Sequence, residues 1–331
     1  MNHTDERERQ RNWTAFWQHG ALHSLSDAQA GNYEGAVAAF WHRVFGGLGT
    51  GQHVLDIATG NGPLPAMLHA MHAGALPLID AVDLADPLQP AWHQMLPASE
   101  RERIRFHPGV RAETLPFADA GHDLVTSQYG IEYADLDLAL GEALRVLKPG
   151  GRMALVMHHA DSQLVTVARE ELRLSALLRA PDAGLLARAR ALYPWLAKVA
   201  AGARDEVVKS PQAAAARLAY NEVQSRLSAE CAASPVPDLL HDAREVVASH
   251  VDGLMRGAAD ATQAIAALDD WEQALGDAEF RHRELLSHAL DQHGIDKVTA
   301  KLSAAGACDI HVHALDQDGM LLGWALECVK T

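Results

Sequence analysis

The sequence predicts an α/β protein built on a doubly wound, mostly parallel sheet. Three observations carry the prediction. Between residues 53 and 159, short apolar runs alternate with helical patterns, as successive βαβ units do. The first run leads into a glycine turn, "HVLDIATGNGPLPAML" over 53–68, which reads as strand, tight loop and helix. Near the end, "CDIHVHALDQDGMLLGWALECVK" reads as two strands joined by a "DQDG" turn, an antiparallel hairpin.

The elements follow in order. Residues 4–48 look helical, with Trp13, Phe16 and Trp17 on one face at i, i+3 and i+4. A break at "GNYEG" (31–35) precedes a second helix, "AVAAFWHRVFGGL". Strands are expected at 53–58, 76–84, "IRFHPG", 122–130 and 152–159. Helices fall between them: one running to about 73, a short one in "AWHQMLPASERER", and 136–147 closed by "KPGG". From 161 to about 306 the chain is rich in Ala, Leu, Arg and Glu with helical periodicity. Pro181, Pro194, Pro211, Pro235 and Pro237 are expected to divide it into several helices. The terminal hairpin then supplies strands six and seven, and the helical block becomes a large insertion after strand five. The expected organisation is an N-terminal helical segment (1–50), a core (51–160), the insertion (161–306) and the closing strands (307–331).

Composition narrows the function classes. A net charge of -15 over 331 residues, with no basic patch, argues against nucleic acid and anionic membrane as partners. Three cysteines with no metal-type spacing argue against a disulfide framework. No signal-peptide core and no unbroken apolar stretch of about 18 residues is present, so a soluble, cytoplasmic protein is expected. The 19 histidines are scattered, and "HVH" (311–313) has no visible third ligand. No metal is expected.

The glycine loop carries the chemistry. A dinucleotide fingerprint would need Gly or Ala at 65, where the chain has Pro65. Asp56, at the end of the strand, would also face an anionic pyrophosphate at close range. A cationic ligand without phosphate fits better. S-adenosylmethionine carries an ammonium and a sulfonium. Ala58, Gly60 and Gly62 would let the backbone pass close to its nucleoside. A second carboxylate, Asp83, would accept from both ribose hydroxyls.

Four stretches stand in register: "VLDIATGNG" (54–62), "AVDLAD" (81–86), "AETLPFADAGHDLVTSQYGIEY" (112–133) and "ALRVLKPGGRMALV" (143–156). On these the chain resembles the class I S-adenosylmethionine-dependent methyltransferases, most closely the quinone-biosynthesis type. The resemblance covers about 110 residues plus the terminal hairpin. It implies a Rossmann-like seven-stranded sheet with an antiparallel last strand. It also implies donor contacts at Asp56, Ala58, Gly60, Gly62, Asp83 and Leu84, with Ala112 and Glu113 beside the adenine. Gln128, directly after strand four, is expected to contact donor or acceptor. Two departures stand out. Arg111 occupies a position that is often acidic in the family, and the insertion is far larger than the family minimum.

Methyl transfer from a sulfonium is an in-line displacement, so the protein mainly aligns the partners and excludes water. The catalytic candidates lie at the carboxyl ends of strands four and five: Gln128, Glu132, His158 and His159, with Tyr129 and Tyr133 nearby. Alternation allows only one of His158 and His159 to reach the site. In the family the N-terminal segment often folds over the donor, and aromatic faces attract a sulfonium. Trp17 and Tyr33 are assigned to that role, and Trp13 and Phe16 to core packing. Tyr193, Trp195, Tyr220, Asn221 and Arg226 are candidates to line an acceptor pocket in the insertion.

The expected activity is methyl transfer to a small-molecule acceptor. One alternative consumes the donor by intramolecular cyclisation or lysis, releasing methylthioadenosine. Another is a non-catalytic donor-binding or scaffold protein, which Arg111 alone favours. The long helical block would also suit a homodimer.

Overall fold

A computed structural model describes residues 3–24, 31–72 and 74–331. Two helices, α1 (His3–Gln18) and α2 (Gly35–Phe45), precede β1 (His53–Ile57), α3 (Pro63–Met71) and β2 (Leu78–Val82). Two one-turn helices, α4 (Ala91–Gln94) and α5 (Ala98–Arg101), lead to β3 (Ile104–His107) and β4 (His122–Gln128). A 3₁₀ turn, Ile131–Tyr133, joins β4 to α6 (Leu136–Val146), and β5 (Leu147–Met157) follows at once. Seven helices come next: α7 (Gln163–Arg179), α8 (Leu185–Ala200), α9 (Arg204–Lys209), α10 (Pro211–Ala233), α11 (Asp238–Met255), α12 (Ala261–His288) and α13 (Gln292–Ala304). The hairpin β6 (Ala307–Gln317) and β7 (Met320–Lys330) closes the chain.

The seven strands form one sheet in the order β3-β2-β1-β4-β5-β7-β6. The first five pair in parallel, and β7 pairs antiparallel with both β5 and β6. The seven-stranded sheet with one reversed strand is therefore present as expected. The strand order reverses between β1 and β4, which opens a crevice at their carboxyl ends.

The central strands are apolar on both faces because helices cover both. Leu55 and Val54 are neighbours in β1, point to opposite faces, and are both fully buried. On one face Leu55, Val125 and Leu155 pack with Leu140 and Leu144 of α6 and with Ile295, Val298 and Leu302 of α13. On the other, Val54, Ile79 and Val156 pack with Trp41 and Phe45 of α2 and Leu64 and Leu68 of α3. At about 25 cal/mol per Å² of apolar surface removed from water, such double-sided burial is the main stabilising term.

The chain divides into two compact units, Met1–Val165 with Glu284–Thr331, and Thr166–Arg283. It enters the second within α7 and leaves it within α12. The helical insertion is thus shorter than the 161–306 expected. The reason is the apolar stripe of α13, which packs on the sheet rather than among the preceding helices. Likewise α2, expected within an N-terminal helical segment over 1–50, packs on the sheet. The helical unit has its own core, including Leu178, Tyr193, Leu227, Val247 and Leu268.

Two punctuation signals behave differently from expectation. Pro194 lies inside α8 instead of ending a helix. "KPGG" does not stop α6, because those residues already belong to β5. Gly150 takes a left-handed φ of 75°, and the β4–β5 register jumps from His122↔Leu147 to Leu124↔Arg152. The glycines form a bulge.

Gly323 in β7 marks the tightest strand approach. A Cβ there would stand 2.6 Å from the backbone oxygen of Met157 and 3.1 Å from the Tyr129 ring. Gly323→Ala is expected to cost about 1–3 kcal/mol by overpacking and to lower the thermal midpoint by several degrees. An unchanged midpoint in differential scanning calorimetry would contradict this packing.

Candidate functional site

The chain leaves β1 through Ala58, Thr59, Gly60, Asn61 and Gly62. Ala58, Gly60 and Gly62 have φ of 54°, 53° and 76°. Left-handed backbone is costly for any residue but glycine, so Ala58 is a strained position. Tyr129, just beyond β4, is another, with φ 52°. These two strained residues flank the switch-point crevice from its two central strands. The loop is tied down by Thr59 N–H donating to the Val82 carbonyl (2.9 Å) and Gly62 N–H donating to the Thr59 carbonyl (2.9 Å).

Two carboxylates stand beside this loop. Asp56 is buried and accepts from the Thr59 hydroxyl (2.6 Å) and the Thr126 hydroxyl (2.8 Å). Burial raises its pKa to about 7. The two threonine hydrogen bonds oppose the rise, and the charge of Asp83 adds to it. Asp83 follows β2 and accepts from the Gly60 N–H (2.7 Å) and the Ala85 N–H (2.8 Å), one on each oxygen. Burial raises its pKa too, against hydrogen bonds from Ala85, Gly60 and Leu84. Each Asp83 oxygen keeps a second lone pair for a ligand.

Asp83 lines a cleft of about 750 Å³, measured to its open mouth, with Ala58, Leu84, Ala112, Glu113, Tyr129 and Tyr133. A second cavity of about 360 Å³ adjoins it and is lined by Asp56, Thr59, Tyr33, Gln128 and Tyr129. Ala58, Trp13, Trp17 and Tyr129 line both. Most of the residues expected to meet the donor therefore share one continuous crevice.

Gly62 does not line either cavity. It caps α3, and a Cβ there would meet Phe106 at 2.6 Å and Trp92 at 3.2 Å. Its role is packing. Gly60 lies beneath the Trp17 indole, 2.5 Å from where a Cβ would stand.

Helix α1 covers the crevice and is stitched down by polar contacts. Gln10 donates to the Leu84 carbonyl (3.0 Å), and Asn61 donates to the carbonyls of Trp17 (2.9 Å) and Ala21 (2.7 Å). Arg9 donates to the Tyr133 carbonyl (2.6 Å) and pairs with Glu284. Arg111, the unexpected residue beside Ala112, pairs with Glu6 (2.6 Å) and approaches Glu113 (3.5 Å). Its charge is thus taken up within the cleft. Glu6 and Arg9 line the cleft without having been expected there, and Trp13 had been assigned to core packing. Glu6, Arg9, Trp13 and Trp17 share one helical face at spacings of three and four, a stripe that was readable in the sequence.

Gln128 is oriented by its neighbour. The Trp41 indole N–H can only donate, and it donates to Gln128 Oε1. Among the described residues the buried Nε2 of Gln128 makes no hydrogen bond, and Gln128 lines the smaller cavity. The side chain is a preset donor.

Glu132 and His158 form a buried pair. Glu132 Oε1 accepts from the His158 backbone N–H (2.8 Å) and from Nδ1 (2.7 Å). The carboxylate thereby assigns the ring proton to Nδ1. The His158 ring lies against Tyr129 in a tilted contact, 4.3 Å between centroids, and neither Glu132 nor His158 lines the two cavities. Burial and the Glu132 charge push the Tyr129 hydroxyl well above its ordinary pKa, so it stays neutral. His159 turns elsewhere. Its ring stacks on Trp324 at 4.3 Å, its Nδ1 accepts from the Asp161 N–H (3.0 Å), and burial lowers its pKa.

In the helical unit, Tyr193 is a core residue whose hydroxyl meets His250 Nδ1 at 3.1 Å. Tyr220 bonds Gln224, and Arg226 donates to the Ala183 carbonyl.

Comparison with known proteins supplies the family. Relatives include the demethylmenaquinone methyltransferase of Thermus thermophilus, 38% identical over 106 residues, which are 32% of this chain and 46% of the relative. The ubiquinone/menaquinone biosynthesis C-methyltransferase UbiE of Hahella chejuensis is 34% identical over 133 residues, 40% of this chain and 53% of the relative. The chain spans about half the length of these relatives. Among solved structures, geranyl diphosphate C-methyltransferase from Streptomyces coelicolor is 19% identical, covering 45% of this chain and 64% of the other, with a TM-score of 0.36. At that score the superposition adds nothing to the assignment. The model of the ubiE/COQ5 methyltransferase family matches residues 39–207, about half of the chain, including β1 to β5 and the glycine loop, and the chain belongs to that family.

Proposed function

We propose that the crevice binds S-adenosylmethionine and that the chain transfers its methyl group to a small-molecule acceptor. The observation that carries this reading is the pair of buried carboxylates, Asp56 and Asp83, flanking a left-handed glycine loop. A phosphate would be repelled there, whereas an ammonium suits Asp56 and ribose hydroxyls suit Asp83. Trp13, Trp17, Tyr129 and Tyr133 offer aromatic faces to a sulfonium. Membership of a methyltransferase family supports the same reading.

The donor is already activated, so the reaction mainly requires a straight line from nucleophile through methyl carbon to sulfur. The Gln128 amide can donate to an oxygen of the acceptor and fix one end of that line. Relatives named for quinone biosynthesis favour an acceptor ring whose oxygen accepts such a bond. The Glu132–His158 pair backs Tyr129 through the tilted contact of the two rings and so positions the wall of the site.

Incubation of the protein with donor and small-molecule extracts is expected to yield S-adenosylhomocysteine and a product heavier by one methyl group, read by mass spectrometry. Methylthioadenosine instead, without any methylated product, would overturn methyl transfer. Asp83→Ala is expected to abolish calorimetric binding of S-adenosylhomocysteine.

The raised pKa of Asp56 adds two further expectations. An ammonium prefers the carboxylate, so affinity for S-adenosylhomocysteine rises with pH to a plateau above about 7. It should be about tenfold weaker at pH 6 than at pH 8, and a flat profile would remove Asp56 from the ligand's contacts. Stability runs the other way. A carboxyl with a raised folded-state pKa destabilises the protein as pH climbs from about 4 to about 7. Asp56→Asn is expected to stabilise the ligand-free protein at pH 8 by up to roughly 4 kcal/mol, seen as a higher melting temperature, and to leave the melting temperature unchanged at pH 4.

A further inference from the structure

A second polar cluster lies on the sheet away from the crevice. Asp80, in the middle of β2, is buried with a side chain only 3% exposed. His53 Nε2 approaches its Oδ2 at 2.6 Å, and His107 Nε2 approaches its Oδ1 at 2.7 Å. His122, at the start of β4, is 1% exposed, and among the described residues neither of its ring nitrogens has a partner within hydrogen-bond distance. Its Nε2 stops 3.6 Å from Asp80 Oδ2. A buried imidazole with both nitrogens unsatisfied is costly, and here it is aimed at a carboxylate. The rings of His53 and His122 lie 4.2 Å apart between centroids. One ligand atom each from His53, Asp80 and His122 can be drawn within 4.8 Å of one another.

We propose that His53, Asp80 and His122 bind a divalent transition-metal ion of the zinc type. Two imidazoles and one carboxylate suit such an ion, and a water molecule would complete tetrahedral coordination. Ligand atoms about 2.0–2.1 Å from zinc stand about 3.3 Å apart in a tetrahedron. The 2.6 Å His53–Asp80 contact therefore opens by less than an ångström. Arg105 now contacts Asp80 at 3.1 Å but is 46% exposed, so it can turn to solvent when the ion supplies the positive charge. Phe117 packs edge-on against His107 (5.4 Å) and His122 (5.1 Å) and shields the cluster from that side. The ligands come from β1, β2 and β4, so the ion would pin three neighbouring strands together. This inference does not depend on the reading of the crevice.

The test uses the full chain, stripped with a chelator and titrated with Zn2+ by calorimetry and with Co2+ by visible absorption. One equivalent of Zn2+ is expected, with a Co2+ ligand-field band typical of tetrahedral coordination. Excess Zn2+ should raise the melting temperature by roughly 5 °C. His122→Phe and His53→Gln should each weaken binding at least about tenfold and abolish the Co2+ band, with circular dichroism unchanged. If His122→Phe fails to fold, His53→Gln, on a partly exposed side chain, decides alone. Absence of stoichiometric binding, or wild-type binding in the foldable variants, would overturn the proposal and leave only adventitious capture by scattered histidines.

Discussion

Asp56 is a carboxylate held where burial disfavours its charge, and the site is arranged around that conflict. Thr59 donates to it from the loop after β1 and Thr126 from within β4, so the β1 exit is tied to β4 across the switch point. Ala58 and Tyr129, just beyond the ends of these strands, take left-handed conformations on either side of the crevice. The strain is sustained because the surrounding strands are buried on both faces and cannot relax independently. Asp83 repeats the arrangement from β2, with Gly60 N–H bound to one oxygen. The loop, the two carboxylates and the crevice are one mechanical unit.

The sheet was legible in the sequence because its strands are short, apolar and separated by glycine and proline. The hairpin "DQDG" and the glycine loop are local signals, and local signals survive without tertiary information. The features that escaped depend on packing. Whether α13 belongs with the helical block or the sheet is decided by which apolar surface its Ile295, Val298 and Leu302 meet, and a helical stripe looks the same in either case. Pro194 continues a helix because its neighbours Leu192 and Tyr193 are anchored in the core of the helical unit. "KPGG" reads as a stop because its glycines allow one, and it serves as a bulge because Leu147 already pairs with His122.

The site divides along the same line. Asp56, Ala58, Gly60 and Asp83 were readable because two adjacent βα turns contain them. Gly62 belongs to the same motif, yet its hydrogen atom makes room for Phe106 and Trp92, which no motif reveals. Glu6 and Arg9 reach the cleft only because α1 lies across it. His53, Asp80, His107 and His122 are separated by tens of residues and meet through strand register, with Leu55 opposite Asp80 and Val82 opposite His107. Their scattered spacing conceals a compact cluster.

The Trp17 indole occupies the space directly above Gly60. Gly60 also holds Asp83 through its N–H, so the indole, the glycine and the carboxylate form one chain of contacts. Any side chain at position 60 would push the indole off the loop and strain the hydrogen bond beneath it. The smallest residue of the loop therefore couples the seating of α1 to the position of a carboxylate on the neighbouring strand.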